Sequence, residues 1–419
     1  MWRPSHHQDT SLAGITVLEI GAFMAAPFGT MQLADLGADV IKIENPAGGD
    51  PVRATGPFLD EDSSPFLRLN RNKRSLALDL KSEAGVEVLR DLLRTADVLV
   101  ENLRPGTLAR LGFGYDEVHE LNPRLVYVSA SGWGQDGPLA ALPGLDIMAQ
   151  ARAGLMSVTG PPSGEPAKVG VPICDLVCGL YVALGALAAL RARETTGEGQ
   201  HVDVSLYESG VSFAIWEAGK YWATGEVGQP LGSAHQSTAP YQAVRTSDGW
   251  VTVGAVTTKT WRGFCDALDL GDLHDDPRYV DAFTRHGHRD TLIPAIEEST
   301  TRRTTAEVVE LLDAAGVPCA PIADMGQVFT DDHLTTRGFF WDAPHPRHGS
   351  VRQIGSPMRL GGTPVVQGAS GPDLGGDTRD VLAECGYDDD AIERLLADGV
   401  VATDVPAPAG AGSPVPDPD

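Results

Sequence analysis

A largely parallel β-sheet covered on both faces by helices, followed by a smaller α/β domain, is the architecture predicted for this chain of 419 residues. Two observations carry the prediction. Through the first half, short β-rich runs alternate with stretches of helical periodicity, and each run is separated from the next by enough residues for a crossover. From residue 225, glycine and polar residues break that rhythm before shorter strand and helix signals resume.

The first strand is ITVLEIG (15–21), an apolar run closed by glycine. A helical pattern runs to residue 37, and ADVIKIE (38–44) is the second strand. Gly48, Gly49, Asp50 and Pro51 mark a loop, and RNKR (71–74) leads into the strand candidate SLALDL (75–80). A helix over 82–96 precedes DVLVEN (97–102), and another precedes LVYVSAS (125–131). The following GWGQDGP (132–138) places a loop at a strand end, where glycines permit close backbone approach to a ligand. A helix is expected over 146–156, then the turn-rich SVTGPPSGEPAK. The long apolar pattern from Asp175 reads as a buried helix, with Gly179 and the alanines from 183 to 189 allowing close packing. QHVDVSL (200–206) is a strand and a helical region continues to 222. YQAVRT (241–246) and WVTVGA (250–255) are strands of the second domain, with helices through 315, and SVRQIGSPMRL (350–360) returns to the first. These signals divide the chain into a large domain (12–224), a small domain (225–331), a return segment (332–400) and a Pro/Gly/Ala-rich disordered tail (401–419).

Composition narrows the function. Lys and Arg total 32 against 57 for Asp and Glu, a net charge of -25, so the overall field repels nucleic acids and anionic membranes and neither is expected as a partner. The apolar runs carry too many polar interruptions for a membrane span, and the polar start lacks a secretion signal. Five scattered cysteines suit a reducing, cytoplasmic setting. His6 and His7 read as part of a flexible extension. No metal is expected, since Cys174 and Cys178 lack further ligands to complete a cage. The Gly21 loop is not G-x-G-x-x-G, and neither a Walker phosphate loop nor a G-x-S-x-G elbow occurs, so a Rossmann-like fold here does not imply dinucleotide chemistry.

Asp175 is the residue that most invites a catalytic reading. It follows a Pro-containing turn and opens an apolar helix, whose backbone donors can orient a carboxylate. It is either a covalent nucleophile or a helix N-cap, and the local pattern leaves both open. Lys42, Arg71, Lys73, Arg74, Arg104 and Arg110 lie near predicted strand ends, where they form a joint anion site or remain solvated surface groups. Trp133 either closes over an apolar acyl group or anchors its loop, whereas Glu217 and Tyr241 read as surface or packing residues ahead of any ligand contact.

Taken in order, VLEIGAFMAAPFGTMQLADLGADVIKIENPAGGDPVR, RNKRSLALDLK, DVLVENLRPGTLARLGFGYDE, NPRLVYVSASGWGQDGP, VGVPICDLVCGLYVALGALAAL and GEGQHVDVSLYES resemble the class III coenzyme A transferases of the CaiB/BaiF family, over about 12–400. The resemblance implies a Rossmann-like large domain and an interlocked homodimer with each chain threaded through the other. It places the catalytic aspartate at Asp175, with an acyl-CoA and an organic carboxylate as partners. Coenzyme A is then a substrate moiety, and no prosthetic group is implied. The resemblance also implies CoA contacts at Ala22, Phe23, Met24, Ala25, Lys73, Arg74, Asn102, Leu103, Arg104 and Arg110. Asn45 departs from a position where some members use a cation, and Gly254-Ala255 lacks the full glycine run of the family's active-site loop. Leu145 stands where a related 2-methylacyl-CoA racemase has its proton-exchanging histidine. Leucine cannot serve as acid or base, so CoA transfer is the expected activity, with racemisation or noncatalytic CoA binding as alternatives.

Overall fold

The computed structural model describes residues 9–162 and 164–403. The chain divides into two compact units: residues 9–155, 169–219 and 333–403 form the larger, Met156–Lys168 and Lys220–Asp332 the smaller. The predicted tail beyond 403 and the two N-terminal histidines lie outside the described residues.

The large unit is built on a seven-stranded sheet. Its parallel strands are β1 (Thr16–Ile20), β2 (Asp39–Glu44), β3 (Lys73–Leu78), β4 (Val98–Glu101), β5 (Val126–Ser131) and β6 (His201–Ser205). They lie in the order β3-β2-β1-β4-β5-β6, and Val401–Ala402 pairs antiparallel with β3 at the edge. Val17, Val40, Val98 and Val128 pack into one core, whereas Leu18, Ile41, Leu99 and Tyr127 pack into another. Burial of both faces explains why these strands read as continuous apolar runs rather than alternating ones. The order reverses between β1 and β4, which opens a crevice beyond their C-terminal ends, the usual ligand position in such sheets.

Helix α1 (Ala25–Asp35) follows β1, α2 (Asp146–Arg152) follows β5, and α3 (Ile173–Thr196) leads towards β6. Glycine lets α1 and α3 touch backbone to backbone. A Cβ at Gly29 would lie 2.8 Å from the carbonyl oxygen of Gly179, and one at Gly179 would lie 2.7 Å from that of Ala25. Contrary to the expectation that polar interruptions rule it out, α3 is long and apolar enough to cross a membrane. Half of that stretch is instead buried within the unit, with Cys174, Cys178, Val182 and Ala186 in the core beside α1.

The small unit carries a three-stranded antiparallel sheet in the order Cys319–Pro321, Trp250–Gly254, Tyr241–Arg245. Val251 and Val253 face a core with Trp261, Phe264, Leu292 and Leu312, while Trp250 and Thr252 point outward. This is the alternation of a sheet packed on one face.

Three boundaries differ from the sequence expectation. The turn-rich 156–168 segment groups with the small unit, the division near 224 falls at 219, and residues 401–402 form a paired strand rather than part of a tail.

Candidate active site

The crevice at the sheet's switch point is shaped by two loops that clamp each other. The Ala22 N–H donates to Asn102 Oδ1 at 2.9 Å, and Asn102 Nδ2 donates to the Ala22 carbonyl at 2.8 Å. Asn102 follows β4 and Ala22 follows β1, so one amide side chain ties the two strand ends together. Phe23 sits at φ 60, a strained value for a non-glycine residue, and its N–H donates to Asp50 Oδ1 at 3.2 Å. The side chain is left 45% exposed at the crevice loop. Met24 is half-buried at the N-cap of α1, and the Ala25 side chain is buried, so Ala25 has only its backbone to offer a ligand.

Beneath this loop lies a buried ion network. Lys42 Nζ reaches Glu19 Oε1 at 2.6 Å, Asp50 Oδ2 at 2.9 Å and the Gly21 carbonyl at 2.8 Å. Lys73 Nζ donates to Glu19 Oε2 at 2.7 Å and to the Pro27 carbonyl and Asn70 Oδ1, both at 2.8 Å. Burial alone would raise the Glu19 carboxyl, but the two ammonium groups overcome it and hold Glu19 at about 2. Burial lowers Lys73 to about 8.

This geometry corrects the expectation for the basic residues. Lys73 has all three donors occupied by internal acceptors. Arg74 is buried against Asp39 and Glu384, whose pull on the guanidinium outweighs its desolvation and raises its pKa. Arg71 makes a two-pronged pair with Asp35 at 3.0 and 2.6 Å. Lys42, Arg71, Lys73 and Arg74 therefore hold the sheet and its loop in place rather than reaching for a phosphate. The RNKR run reads as a surface patch because its charge gives no sign of the acids waiting inside the fold. Arg104 and Arg110 are exposed beyond β4, and Arg110 Nη2 donates to Thr107 Oγ1 at 3.1 Å. Leu103 is half-buried, and its N–H donates to Glu101 Oε2 at 2.8 Å. Burial pushes the Glu101 carboxyl up to about 7.

Asp175 is the third residue of α3, behind a Pro172 N-cap that supplies no side-chain cap. The N-cap reading is thus excluded by position. The capping oxygen comes from a residue the sequence reading placed at the start of the 146–156 helix: Asp146 Oδ1 accepts from the Cys174 N–H at 2.9 Å and from the Asp175 N–H at 3.4 Å. Asp146 is oriented by the buried Gln150, whose Nε2 donates to Asp146 Oδ2 at 2.7 Å and whose Oε1 accepts from the Val169 N–H at 2.9 Å. Such a cap from a distant part of the chain leaves no local sequence signature. Among the described residues, no hydrogen bond reaches the Asp175 carboxylate oxygens. Burial, and then the charge of Asp146, pushes this half-buried carboxyl from 3.8 to about 7. The neighbouring Cys174 thiol is buried and pushed up to about 12, which leaves it protonated and a poor nucleophile. A carboxylate of raised basicity, half-buried and free of quenching hydrogen bonds among the described residues, is suited to attack on an activated acyl carbon.

Leu145 is 61% exposed at the N-cap of α2, immediately before Asp146. In the small unit, Tyr241 and Gly254 line an open cavity of about 610 Å³ together with His235 and Cys319. Among the described residues, Asp62, His345 and His348 form a group with metal-ligand spacing. Most of its polar atoms are already engaged: Asp62 pairs with His348 Nε2 and Arg347 Nη2, both at 2.7 Å, and His345 Nδ1 accepts two backbone N–H groups, while His345 Nε2 is buried without a hydrogen-bond partner among the described residues. That pattern keeps the His345 proton on Nε2, where a metal would need a lone pair.

Comparison with known proteins places this geometry in context. Residues 12–378 match the model of CoA-transferase family III. The chain is 37% identical over 392 residues to human succinyl-CoA:glutarate CoA-transferase, covering 93% of this chain and 90% of the relative. It is 35% identical over 350 residues to acetyl-CoA:oxalate CoA-transferase of Acetobacter aceti, covering 83% and 89%. Among solved structures, a CaiB/BaiF family protein from Brucella suis superposes with a TM-score of 0.82 at 33% identity, covering 90% of this chain and 100% of the other.

Proposed function

This chain belongs to CoA-transferase family III and is a CoA-transferase, and on that premise we propose that Asp175 is the group that carries the acyl and CoA intermediates. The observation that supports this reading is the Asp175 carboxylate itself, half-buried, unpartnered among the described residues and raised to about 7. Its attack on the donor thioester forms a mixed anhydride and releases CoA thiolate. The thiolate then attacks the aspartyl carbonyl, which gives an enzyme–CoA thioester and frees the donor acid. The acceptor carboxylate attacks that thioester, forming a second anhydride and releasing thiolate again. Thiolate attack on the acceptor's acyl carbon yields the product thioester and restores Asp175. One thioester is consumed and one is formed, so the cycle needs no external energy source and no prosthetic group, with CoA as a substrate moiety throughout.

The crevice between the Ala22 and Asn102 loops, flanked by Phe23, Leu103 and the exposed Arg104 and Arg110, is the proposed CoA site. For the acids, we propose dicarboxylates, on the strength of relatives named for succinyl-CoA, glutarate and oxalate. Arg152 fits this class: it ends α2, lies against the Trp133 ring at 5.7 Å and has no acidic partner among the described residues. Racemisation would need an acid or base at Leu145, and leucine offers none.

An interlocked homodimer is part of the proposal. The exposed apolar side chains Leu180, Tyr181 and Leu184 on α3, with Val211 and Phe213 flanking Ser212, to which the Tyr181 hydroxyl donates at 3.1 Å, supply the kind of surface an obligate partner covers. All five cysteines are free thiols, which suits a reducing compartment such as the cytoplasm.

The test is an exchange assay with succinyl-CoA and a panel of mono- and dicarboxylates, with acyl-CoA products separated chromatographically. The reading predicts acceptor-dependent thioester formation that disappears in Asp175→Asn. Persistent exchange in that variant would overturn the assignment of Asp175.

A further inference from the structure

The first turn of a helix offers unpaired N–H groups and a positive end, and both would stabilise a nearby carboxylate and make it a weaker base. Asp175 sits in such a turn, yet the Cys174 and Asp175 N–H groups are turned to Asp146 Oδ1 at 2.9 and 3.4 Å. The donors that would quench the nucleophile are taken, and a second negative charge stands in their place. Asp146 is held there by Gln150, which is fully buried and is itself fixed by the Val169 N–H.

Other groups on the elements packed against this turn have partners or are neutral. Asp203 of β6 accepts from the Gln135 N–H at 2.9 Å, Glu208 from the Ser205 hydroxyl at 2.6 Å, and Asp35 of α1 from Arg71. The Cys174 and Cys178 thiols are buried and pushed up into their protonated form. Arg152, at the far end of α2, lies over Trp133.

We infer that Asp146 is a positioning residue for the reaction: it caps the helix that presents Asp175 and, by occupying the helix-end donors with its own charge, keeps the Asp175 carboxylate basic and free to attack. This rests on Asp175 being the nucleophile. The raised value of about 7 for Asp175, caused by burial and then by Asp146, agrees with the geometry.

The experiment compares the parent protein with Asp146→Asn and Asp146→Ser, which keep a capping oxygen without the charge, and with Asp146→Ala. Two readouts are taken. In exchange with succinyl-CoA and glutarate, the ascending pH limb of kcat should move down by about one to two pH units in Asp146→Asn and Asp146→Ser, with the rate above that limb reduced. Independently of activity, the gap in thermal stability between the parent and Asp175→Asn is followed from pH 4 to pH 8, and again in an Asp146→Ser background. In both backgrounds the gap should open above about pH 4; in the parent it should keep growing to about pH 7, whereas without Asp146 it should level off at lower pH and be smaller by roughly a third to a half. Folded Asp146→Asn and Asp146→Ser proteins with an unshifted limb and an unchanged stability gap would overturn the inference. If the parent shows no Asp175-dependent exchange, the nucleophile assignment fails, and the stability cycle alone still decides whether Asp146 tunes Asp175.

Discussion

Replacing Lys42 by methionine removes the centre of the buried network under the crevice loop. Lys42 is fully buried, its ammonium lies 2.6 Å from Glu19 and 2.9 Å from Asp50, and it donates to the Gly21 carbonyl at 2.8 Å. Glu19 retains Lys73 at 2.7 Å, whereas Asp50 Oδ2 makes no other hydrogen bond among the described residues. Breaking one side of a buried ion pair in this way costs about 3–5 kcal/mol, mainly from the charge left without a partner. Lys42→Met should therefore lower unfolding stability by that amount in urea, read by tryptophan fluorescence and far-UV circular dichroism together. The loop should also loosen, raising KM for the CoA donor by roughly ten-fold, because Gly21 and Phe23 lose the lysine and the ordered aspartate that hold them. The double variant Lys42→Met/Asp50→Asn should recover about 1–2 kcal/mol of the loss, since the stranded carboxylate becomes a neutral amide. A cost below about 1 kcal/mol for Lys42→Met, or no coupling in the double variant, would refute the claim that this network holds the site.

Asn102→Ala removes both bonds to Ala22, so KM for the acyl-CoA should rise roughly ten-fold while kcat falls by less than about three-fold in steady-state exchange kinetics. Asp175→Asn should lose exchange yet gain stability. A carboxyl whose folded pKa stands at about 7 against 3.8 unfolded destabilises the native state as it is forced to ionise. Relative to the amide, that penalty is absent below about pH 4, grows as pH rises and is complete above about pH 7, reaching about 4 kcal/mol unscreened and roughly 2 kcal/mol for a half-buried group. Thermal melts should accordingly place Asp175→Asn about 2–4 °C above the parent at pH 8, with the two converging at pH 4.

Much of the large unit was legible because its information is local. Strands buried on both faces leave apolar runs such as VLEI, VIKI and VYVS, and the helices between them require crossovers. Asp175 was legible as a charged residue opening an otherwise apolar helix. What escaped was long-range. Lys73 and Arg74 look like surface charge until Glu19, Asp39 and Glu384 arrive from other elements. Asp146 caps a helix that begins 27 residues further along the chain, with no local motif to betray it. The strand at 401–402 is too short to carry periodicity and exists through pairing with Leu78 and Ala77. The grouping of 156–168 with the small unit likewise leaves no compositional mark.

The account turns on a covalent intermediate at Asp175, and intact-protein mass spectrometry during turnover tests it most directly. The parent protein, mixed with succinyl-CoA and quenched in acid, should gain the mass of one CoA less one water, with peptide mapping placing the adduct on the segment that contains Asp175. Adding glutarate should discharge it into glutaryl-CoA, and Asp175→Asn should never acquire it. Exchange that proceeds with no adduct on that segment, or an adduct that persists in the variant, would contradict the mechanism.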